Sequence, residues 1–380
     1  MKRFFLLLIL LISSGYSLAQ VEFEYSGYIQ DFPIYQTQNQ NLSSHLGVKE
    51  AQFLNMTRLR LRSAAYFGDR SRVNFEYEVN AVYLSSPTGF GFSGDQINIR
   101  QAVDLNWNLV NESNWQVNHF IDRLSFRQGF DFGSFVLGRQ RISWGTGRIW
   151  NPTDLFNPIN PASFFKIEKD GADAASFTYN IADFTDLELV YNFVDEFNRA
   201  NYGGRFRTNF QEFDLSVVAG KFDNNTVLGG DFAGNLFMAG VRGEGIYSKN
   251  ENSEFVNYVV GIDMQFTSKL YAVAEYHNNG AGTKEKMSYD FNKLVSGEIL
   301  NLNKNYFYIG STYQYTPLLF LTIGELANIN DGSGFVTVAS NYSLSDNSYL
   351  NGGIQLFYGE DFSEYWYYSN SFYLQIEYYF

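Results

Sequence analysis

Apolar and polar residues alternate with a period of two along most of the chain, which is typical of β-strands with two different faces. The clearest runs lie at residues 21–30, 72–83 and 97–109. In the second run, aliphatic and aromatic side chains occupy the odd positions, and the positions from Arg72 to Asn80 that lie between them are polar. Runs of about ten residues match the length of a tilted strand that crosses a bilayer. We therefore expect an all-β chain of amphipathic strands.

Turn clusters rich in Gly, Asn and Asp separate the runs, at residues 68–71, 111–114, 129–133, 223–225, 278–280 and 331–334. Between sixteen and eighteen runs can be counted, and about 360 residues at ~20 per strand and connection favour eighteen, an even number as in bacterial barrels. The prediction is a closed antiparallel transmembrane β-barrel formed by residues 20–380 as a single domain. A soluble β-sandwich or β-solenoid is the alternative, but neither needs an apolar face on every strand.

The first nineteen residues read as a signal peptide. Lys2 and Arg3 precede an apolar run at 4–12, and Ser17-Leu18-Ala19 resembles a cleavage site. Nine apolar residues are too few for a membrane-spanning helix, which needs about 20. An uncleaved anchor is the alternative.

The C-terminal run favours an outer-membrane barrel. Its alternate positions are apolar and the chain stops on an aromatic residue, a pattern similar to the signal read by the barrel-assembly machinery. The predicted signal consists of Phe372, Leu374, Ile376, Tyr378 and Phe380. The expected partners are this machinery and the lipid and lipopolysaccharide of the outer membrane.

Composition agrees with strands that lie between lipid and water. Aromatic residues make up 18% of the chain, with 28 Tyr and 37 Phe, yet the mean hydropathy is −0.23. The chain has no Cys, so disulfides and thiolate chemistry are excluded. The formal net charge of −13 argues against nucleic acid as a partner.

Arginine is concentrated in one part of the chain. Eleven of the sixteen arginines lie between Arg58 and Arg148, where there is no Lys. Arg58, Arg60 and Arg62 share one strand face, which must be the lumen face because an arginine on the lipid face costs ~2–4 kcal/mol at the midplane. They form either an anion track or a set of ion pairs with Glu76 and Glu78 on the next strand, and both can hold together. Arg100 lies at a polar position of the 97–109 run and completes the predicted lining.

The segment Trp144–Pro161 is the strongest candidate for a pore constriction. It carries two of the five tryptophans and three of the six prolines, and it is too long for a hairpin turn. We expect it to fold into the lumen and to narrow the pore. The side chains presented to a solute would be Arg141, Trp144, Arg148 and Trp150, with Asp154 close behind.

The stretch from Gly138-Arg139-Gln140-Arg141 through Trp144-Gly145 to the Asn-Pro-rich residues 151–161 resembles outer-membrane barrels of the porin superfamily, in the style of alginate-export-like and related porin-like families. The resemblance implies a passive channel or an export conduit for anionic solutes and polysaccharides. It places Arg139, together with Arg141, Trp144 and Arg148, in the lumen or at its constriction.

Catalysis and metal binding are not predicted. The only histidines, His45, His119 and His277, have no neighbouring nucleophile motif and no metal-ligand spacing. No cofactor is expected. The predicted function is passive passage of small hydrophilic or anionic solutes. The alternatives are an export conduit or binding barrel for surface polysaccharide, and a non-conducting structural or adhesive barrel.

Overall fold

The alternating runs fold into one antiparallel sheet that closes on itself. A computed structural model describes residues 21–38, 43–44, 50–86, 100–156, 168–194, 200–296 and 299–380. The predicted signal peptide at 1–19 lies outside these residues. With one exception, each strand pairs with its neighbours in the chain, and the first strand also pairs with the last. The fold is a closed antiparallel barrel of eighteen strands, as the alternation predicted.

The sheet contains nineteen strand segments, of which one is an addition to the eighteen-strand wall. Their bounds are β1 Val21–Thr37, β2 Ala51–Phe67, β3 Ser71–Leu84, β4 Asn106–Asn111, β5 Trp115–Phe130, β6 Gly133–Gln140, β7 Ala172–Ala182, β8 Thr185–Asn192, β9 Asn201–Phe210, β10 Phe213–Phe222, β11 Asn225–Leu236, β12 Ala239–Lys249, β13 Glu254–Gln265, β14 Leu270–Asn279, β15 Asn305–Thr316, β16 Leu319–Asn328, β17 Gly334–Ser345, β18 Ser348–Tyr358 and β19 Asn370–Tyr379.

The additional segment is β4, which fills a gap in the wall. β3 pairs directly with β5. On the other side of β5, β6 ends at Gln140 and therefore pairs only with residues 124–130. β4 takes the vacant place beside residues 116–120 of β5. The predicted strand at 97–109 is therefore wrong for residues 100–105, which are not a strand, and right for residues 106–109. Residues 97–99 lie outside the described residues. Residues 100–105 are held instead by Asp173, whose carboxylate accepts the N–H groups of Ala102 and Val103 at 2.9 and 3.0 Å.

The alternation separates an apolar outer face from a polar inner face. On β13, Val260 and Ile262 are each 50% exposed on the outside, whereas Val259, which precedes Val260 and points inward, is 1% exposed. The same exposed apolar side chains recur around the barrel, including Leu228 on β11 and Ile323 on β16. An apolar belt of this kind faces lipid in a transmembrane barrel. The strands can cross the hydrocarbon region because closure of the sheet satisfies their backbone hydrogen-bonding groups. Among the described residues, no helix is long and apolar enough to cross a bilayer.

The two ends of the barrel differ. Two to four residues connect the strands at the end where β1 begins and β19 finishes, as between β9 and β10. The other end carries most of the long connections, including those at 141–171 and 280–304. Short turns are typical of the periplasmic side and long loops of the extracellular side. The connection at 280–304 contains a short α-helix, Phe291–Ser296, and a 3₁₀ turn at Glu364–Tyr367 precedes β19.

Candidate pore and constriction

The chain turns from the wall into the lumen after Gln140. Gly145 lies at φ +92°, a conformation that favours glycine, and an added Cβ there would be 2.4 Å from the carboxylate of Glu244. Glu244, on the inner face of β12, accepts the Thr146 N–H and the Thr153 hydroxyl, both at 2.8 Å. Residues 141–156 therefore form an inward segment, as predicted for this part of the loop. Pro158 and Pro161 lie outside the described residues.

A second carboxylate, Glu275 on β14, holds the middle of the inward segment. Its oxygens accept three consecutive backbone N–H groups, those of Arg148, Ile149 (2.8 Å) and Trp150 (3.4 Å). The segment is thus fixed across the lumen at two points, on β12 and on β14.

Its two tryptophans are anchors rather than exposed pore residues. Trp144 is 1% exposed, packs edge-on against Phe156 and Phe222, and donates its indole N–H to Glu188 at 2.8 Å. Trp150 is completely buried, stacks on His277 at 5.2 Å, and donates its indole N–H to Asn301 at 2.9 Å. Each sits in an apolar cluster contributed by the extracellular half of the wall.

The charged side chains of the inward segment differ in how far they are exposed. Arg141 and Arg148 are exposed, and the Arg148 guanidinium lies 3.8 Å from Asp263 with 52% of its side chain accessible. Asp154 is buried and binds Lys169 on the returning limb of the same loop. The arginines, not the tryptophans or Asp154, are therefore the groups that a solute can reach.

The predicted arginine ladder lies on the inner face and is largely neutralised. Arg60 is 2% exposed and binds Glu76 at 2.6 Å, Glu78 at 2.7 Å, Asp122 and Glu168. Arg58 binds Glu78 at 3.0 Å. Arg62, with 35% of its side chain exposed, binds Glu168 and lies 5.5 Å above the Tyr28 ring. Only Arg62 of the three is substantially open to the lumen.

Two of the predicted residues stabilise the wall and the rim. Arg139 binds Asp173 at 2.7 Å and donates to the carbonyl oxygens of Ile121 and Val103, which ties β6 to the residues that precede β4. Arg100 makes two hydrogen bonds to Asp223, at 2.5 and 2.6 Å, in the turn between β10 and β11.

Sequence reasoning missed the acidic residues that position the loop, namely Asp122, Glu168, Asp173, Glu188, Glu244 and Glu275. A signal for two of them exists in the sequence. Glu244 stands between Gly243 and Gly245, and Glu275 interrupts an apolar run at 270–276. A lone carboxylate among small or apolar inward residues indicates a partner brought from elsewhere, since a buried charge needs one.

The described histidines have structural contacts. His119 binds the Tyr77 hydroxyl at 2.8 Å and stacks on Trp107, while His277 contacts the carbonyl of Tyr258. His45 lies outside the described residues. Across the described part of the chain, no group of three or more His, Asp or Glu side chains could hold a metal ion.

No family model matches the chain, and neither does any curated protein. Among solved structures, OccAB3 of Acinetobacter baumannii is similar with a TM-score of 0.58 at 10% identity, covering 94% of this chain and 99% of that one. OccAB4 of the same organism has a TM-score of 0.56 at 9% identity, covering 96% and 100%. A triple mutant of Rhodopseudomonas blastica porin reaches 0.48 at 9% identity, covering 94% and 100%.

The fold is that of a porin-like outer-membrane β-barrel. At identities this low, the likeness concerns the architecture. The finer resemblance of this porin-like barrel to alginate-export-like families stays a prediction.

Proposed function

We propose that the porin-like barrel is a channel for the passive passage of small hydrophilic solutes, including small anions, and that it is not an enzyme. The observation that carries this proposal is the inward segment, which Glu244 and Glu275 fix across the lumen. A segment held in this way narrows a passage reproducibly. Inward side chains of the opposite wall, such as Thr337 and Asn351, remain partly accessible, which supports a lumen that is not filled.

The preference for anions rests on the accessible arginines. Arg58 and Arg60 have carboxylate partners and contribute little net field, whereas Arg141, Arg148 and Arg62 are reachable by solute. Fixed positive charge at a constriction raises the local concentration of anions. The expected preference is modest because Asp263 and Glu168 lie beside two of these arginines.

Planar-bilayer recording of the refolded, detergent-purified protein tests the proposal. We expect stepwise conductance from the unmodified protein. Trp150→Ala should raise single-channel conductance, because it removes the side chain that anchors the middle of the inward segment in its apolar cluster. The barrel should still close, because its strands pair with one another independently of this segment. Trp115→Ala is the matched control: this tryptophan is 48% exposed on β5, and its loss should leave conductance unchanged.

Absence of conductance from both the unmodified protein and Trp150→Ala would contradict the channel and favour a structural or adhesive barrel. A measurement of ion selectivity tests the second part of the proposal, the preference for anions. Arg148→Gln should move the reversal potential toward cations, and an unmoved potential would contradict a role for Arg148 in anion preference.

A further inference from the structure

Charge is distributed unequally around the lumen. Arginines and carboxylates occupy inward positions of β2, β3, β8, β9 and β12–β14. The inward positions of β15–β18, in contrast, are neutral throughout, and carry Tyr, Asn, Gln, Thr, Ser, Gly and a few apolar residues. A solute that follows this wall meets hydroxyls, amides and aromatic rings.

Near the periplasmic mouth, this neutral wall presents a row of tyrosines. Tyr349 on β18 packs edge-on against Tyr379 on β19, with ring centroids 5.8 Å apart. Tyr379 in turn lies 5.5 Å from Tyr28 on β1. Tyr28 is buried, whereas Tyr349 and Tyr379 are half-buried. Two aromatic rings thus remain partly accessible, and the buried ring of Tyr28 packs beside one of them, Tyr379.

A row of amides runs beside the tyrosines. Asn341 on β17 donates to Asn351 on β18, which donates to Gln375 on β19 at 3.3 Å, and Gln375 donates to Glu377 at 2.7 Å. Glu377 also accepts the Tyr379 hydroxyl at 3.3 Å. Asn341 is exposed, and Asn351 and Gln375 are half-buried. We call Tyr349, Tyr379, Asn341, Asn351, Gln375 and Glu377 the mouth patch.

The combination of groups in the mouth patch fits a sugar ring. The negative face of an aromatic ring suits the apolar C–H face of a pyranose, and planar amides and carboxylates hold the vicinal hydroxyls around its edge. A few polar groups beside aromatic surface are also the general composition of small-molecule sites.

The charge within the patch disfavours a polyanion, and Arg62, which lies above the neighbouring Tyr28 ring, is paired with Glu168. The only charged member of the patch is Glu377, and the strands that form it, β17–β19, contain no Lys or Arg. On the neighbouring part of the wall, a cavity of about 570 Å³ is lined by residues of β1–β3, including Ser26, Arg62 and Glu76. That volume lies within the range of about 300–1,000 Å³ that is usual for ligand sites.

We propose that the mouth patch is a binding site for a neutral oligosaccharide on the periplasmic side of the lumen. The site deepens the proposed channel function by naming a class of solute, but binding is measured without conduction, so the two can fail separately. The rings of Tyr349 and Tyr379 provide the stacking surface, and the amide row provides the hydrogen bonds.

The test is isothermal titration of the full-length, detergent-solubilised protein with maltotetraose, cellotetraose and mannotetraose, and with a tetramer of mannuronate as the anionic counterpart. We expect at least one neutral tetrasaccharide to bind and the uronate to bind at least tenfold more weakly. Tyr349→Ala should lower the affinity for the neutral tetrasaccharide by about tenfold. Tyr349→Phe should retain the affinity of the unmodified protein because the aromatic ring is kept.

Tyr342→Ala is the matched control. Tyr342 lies on the outer face of β17, 40% exposed, at a similar height, and its loss should leave sugar affinity unchanged. Preferential binding of the uronate, or equal effects of Tyr349→Ala and Tyr342→Ala, would overturn the proposal. So would the absence of binding by all three neutral tetrasaccharides. Sugar binding without conductance would retain the site and reject the channel.

Discussion

Arg60 illustrates what an arginine requires when it is buried in the wall of a barrel. Its guanidinium contacts carboxylates from β3, from β5 and from the returning limb of the loop at Glu168. Such a pair contributes little net stability compared with apolar packing, but removing one partner leaves the others buried and uncompensated. Arg60 therefore joins the loop to the wall as well as neutralising the lumen.

Arg60→Gln should lower the free energy of unfolding by about 3 kcal/mol, because the buried carboxylates of Glu78 and Asp122 each lose one of the two cations that pair with them. Urea titration followed by tryptophan fluorescence in detergent measures this. Arg70→Gln is the control, since the Arg70–Asp131 pair lies in solvent and such pairs contribute about 0–1 kcal/mol. Equal losses for the two variants would contradict the role assigned to Arg60.

At the scale of the element, the 3₁₀ turn at Glu364–Tyr367 shows how an extracellular loop is closed. Glu364 is 1% exposed and accepts hydrogen bonds from the Leu302 N–H at 2.9 Å, the Tyr306 hydroxyl at 2.5 Å and the Asn328 amide at 2.9 Å. The turn thereby joins the 280–304 loop to the ends of β15 and β16. Within the described part of the chain, no Lys or Arg forms an ion pair with the Glu364 carboxylate.

Burial raises the pKa of Glu364 from its usual 4.5 to about 7. The folded state therefore holds a proton more tightly than the unfolded state, so loop stability falls as pH rises from about 4.5 through 7 and is constant above that window. Hydrogen exchange of residues 299–304 between pH 4 and 9, corrected for intrinsic rates, should show this loss of protection. Glu364→Gln should abolish the pH dependence, and a slope that persists would contradict the assignment to Glu364.

Elements were predictable from sequence wherever one side of a strand meets lipid and the other meets the lumen. The run at 72–83 alternates as far as Ala81 and lies within β3. The run at 97–109 also alternates, but its residues 100–105 are held by Asp173 and Asn192 and form no ladder. The Trp- and Pro-rich composition predicted the inward segment, whereas its carboxylate contacts involve pairs up to 127 residues apart, which no local pattern encodes.

At the scale of the whole molecule, closure depends on the seam between the first and last strands. Phe380 and Gly27 exchange two backbone hydrogen bonds, at 2.9 and 3.0 Å. A Cβ at position 27 would lie 2.7 Å from the Phe380 ring, so glycine leaves the space in which that ring sits. The five residues of the predicted assembly signal all point outward, with 42–51% of their surface exposed.

Deleting Phe380 should reduce the heat-modifiable, membrane-inserted fraction, because the deletion removes both the terminal aromatic residue and the seam hydrogen bonds. Phe380→Ala separates the two causes, since the backbone bonds remain. A role in recognition by the assembly machinery predicts reduced insertion for both variants, and a role in closure alone predicts it only for the deletion. Phe237→Ala, at a periplasmic turn where Phe237 is 96% exposed, is the control for loss of an exposed aromatic. Normal insertion of the deletion variant would contradict both roles.

The short strand β4 has a consequence for the order in which the barrel is assembled. Most contacts in the wall join strands that are adjacent in the chain, so each hairpin can be added as it arrives. β4 pairs with β5, but the residues before it are bound by Asp173 on β7 and Asn192 on β8. Residues 100–105 therefore cannot reach their final positions until β7 and β8 are in place. This part of the wall must be completed after the strands on either side of it have formed.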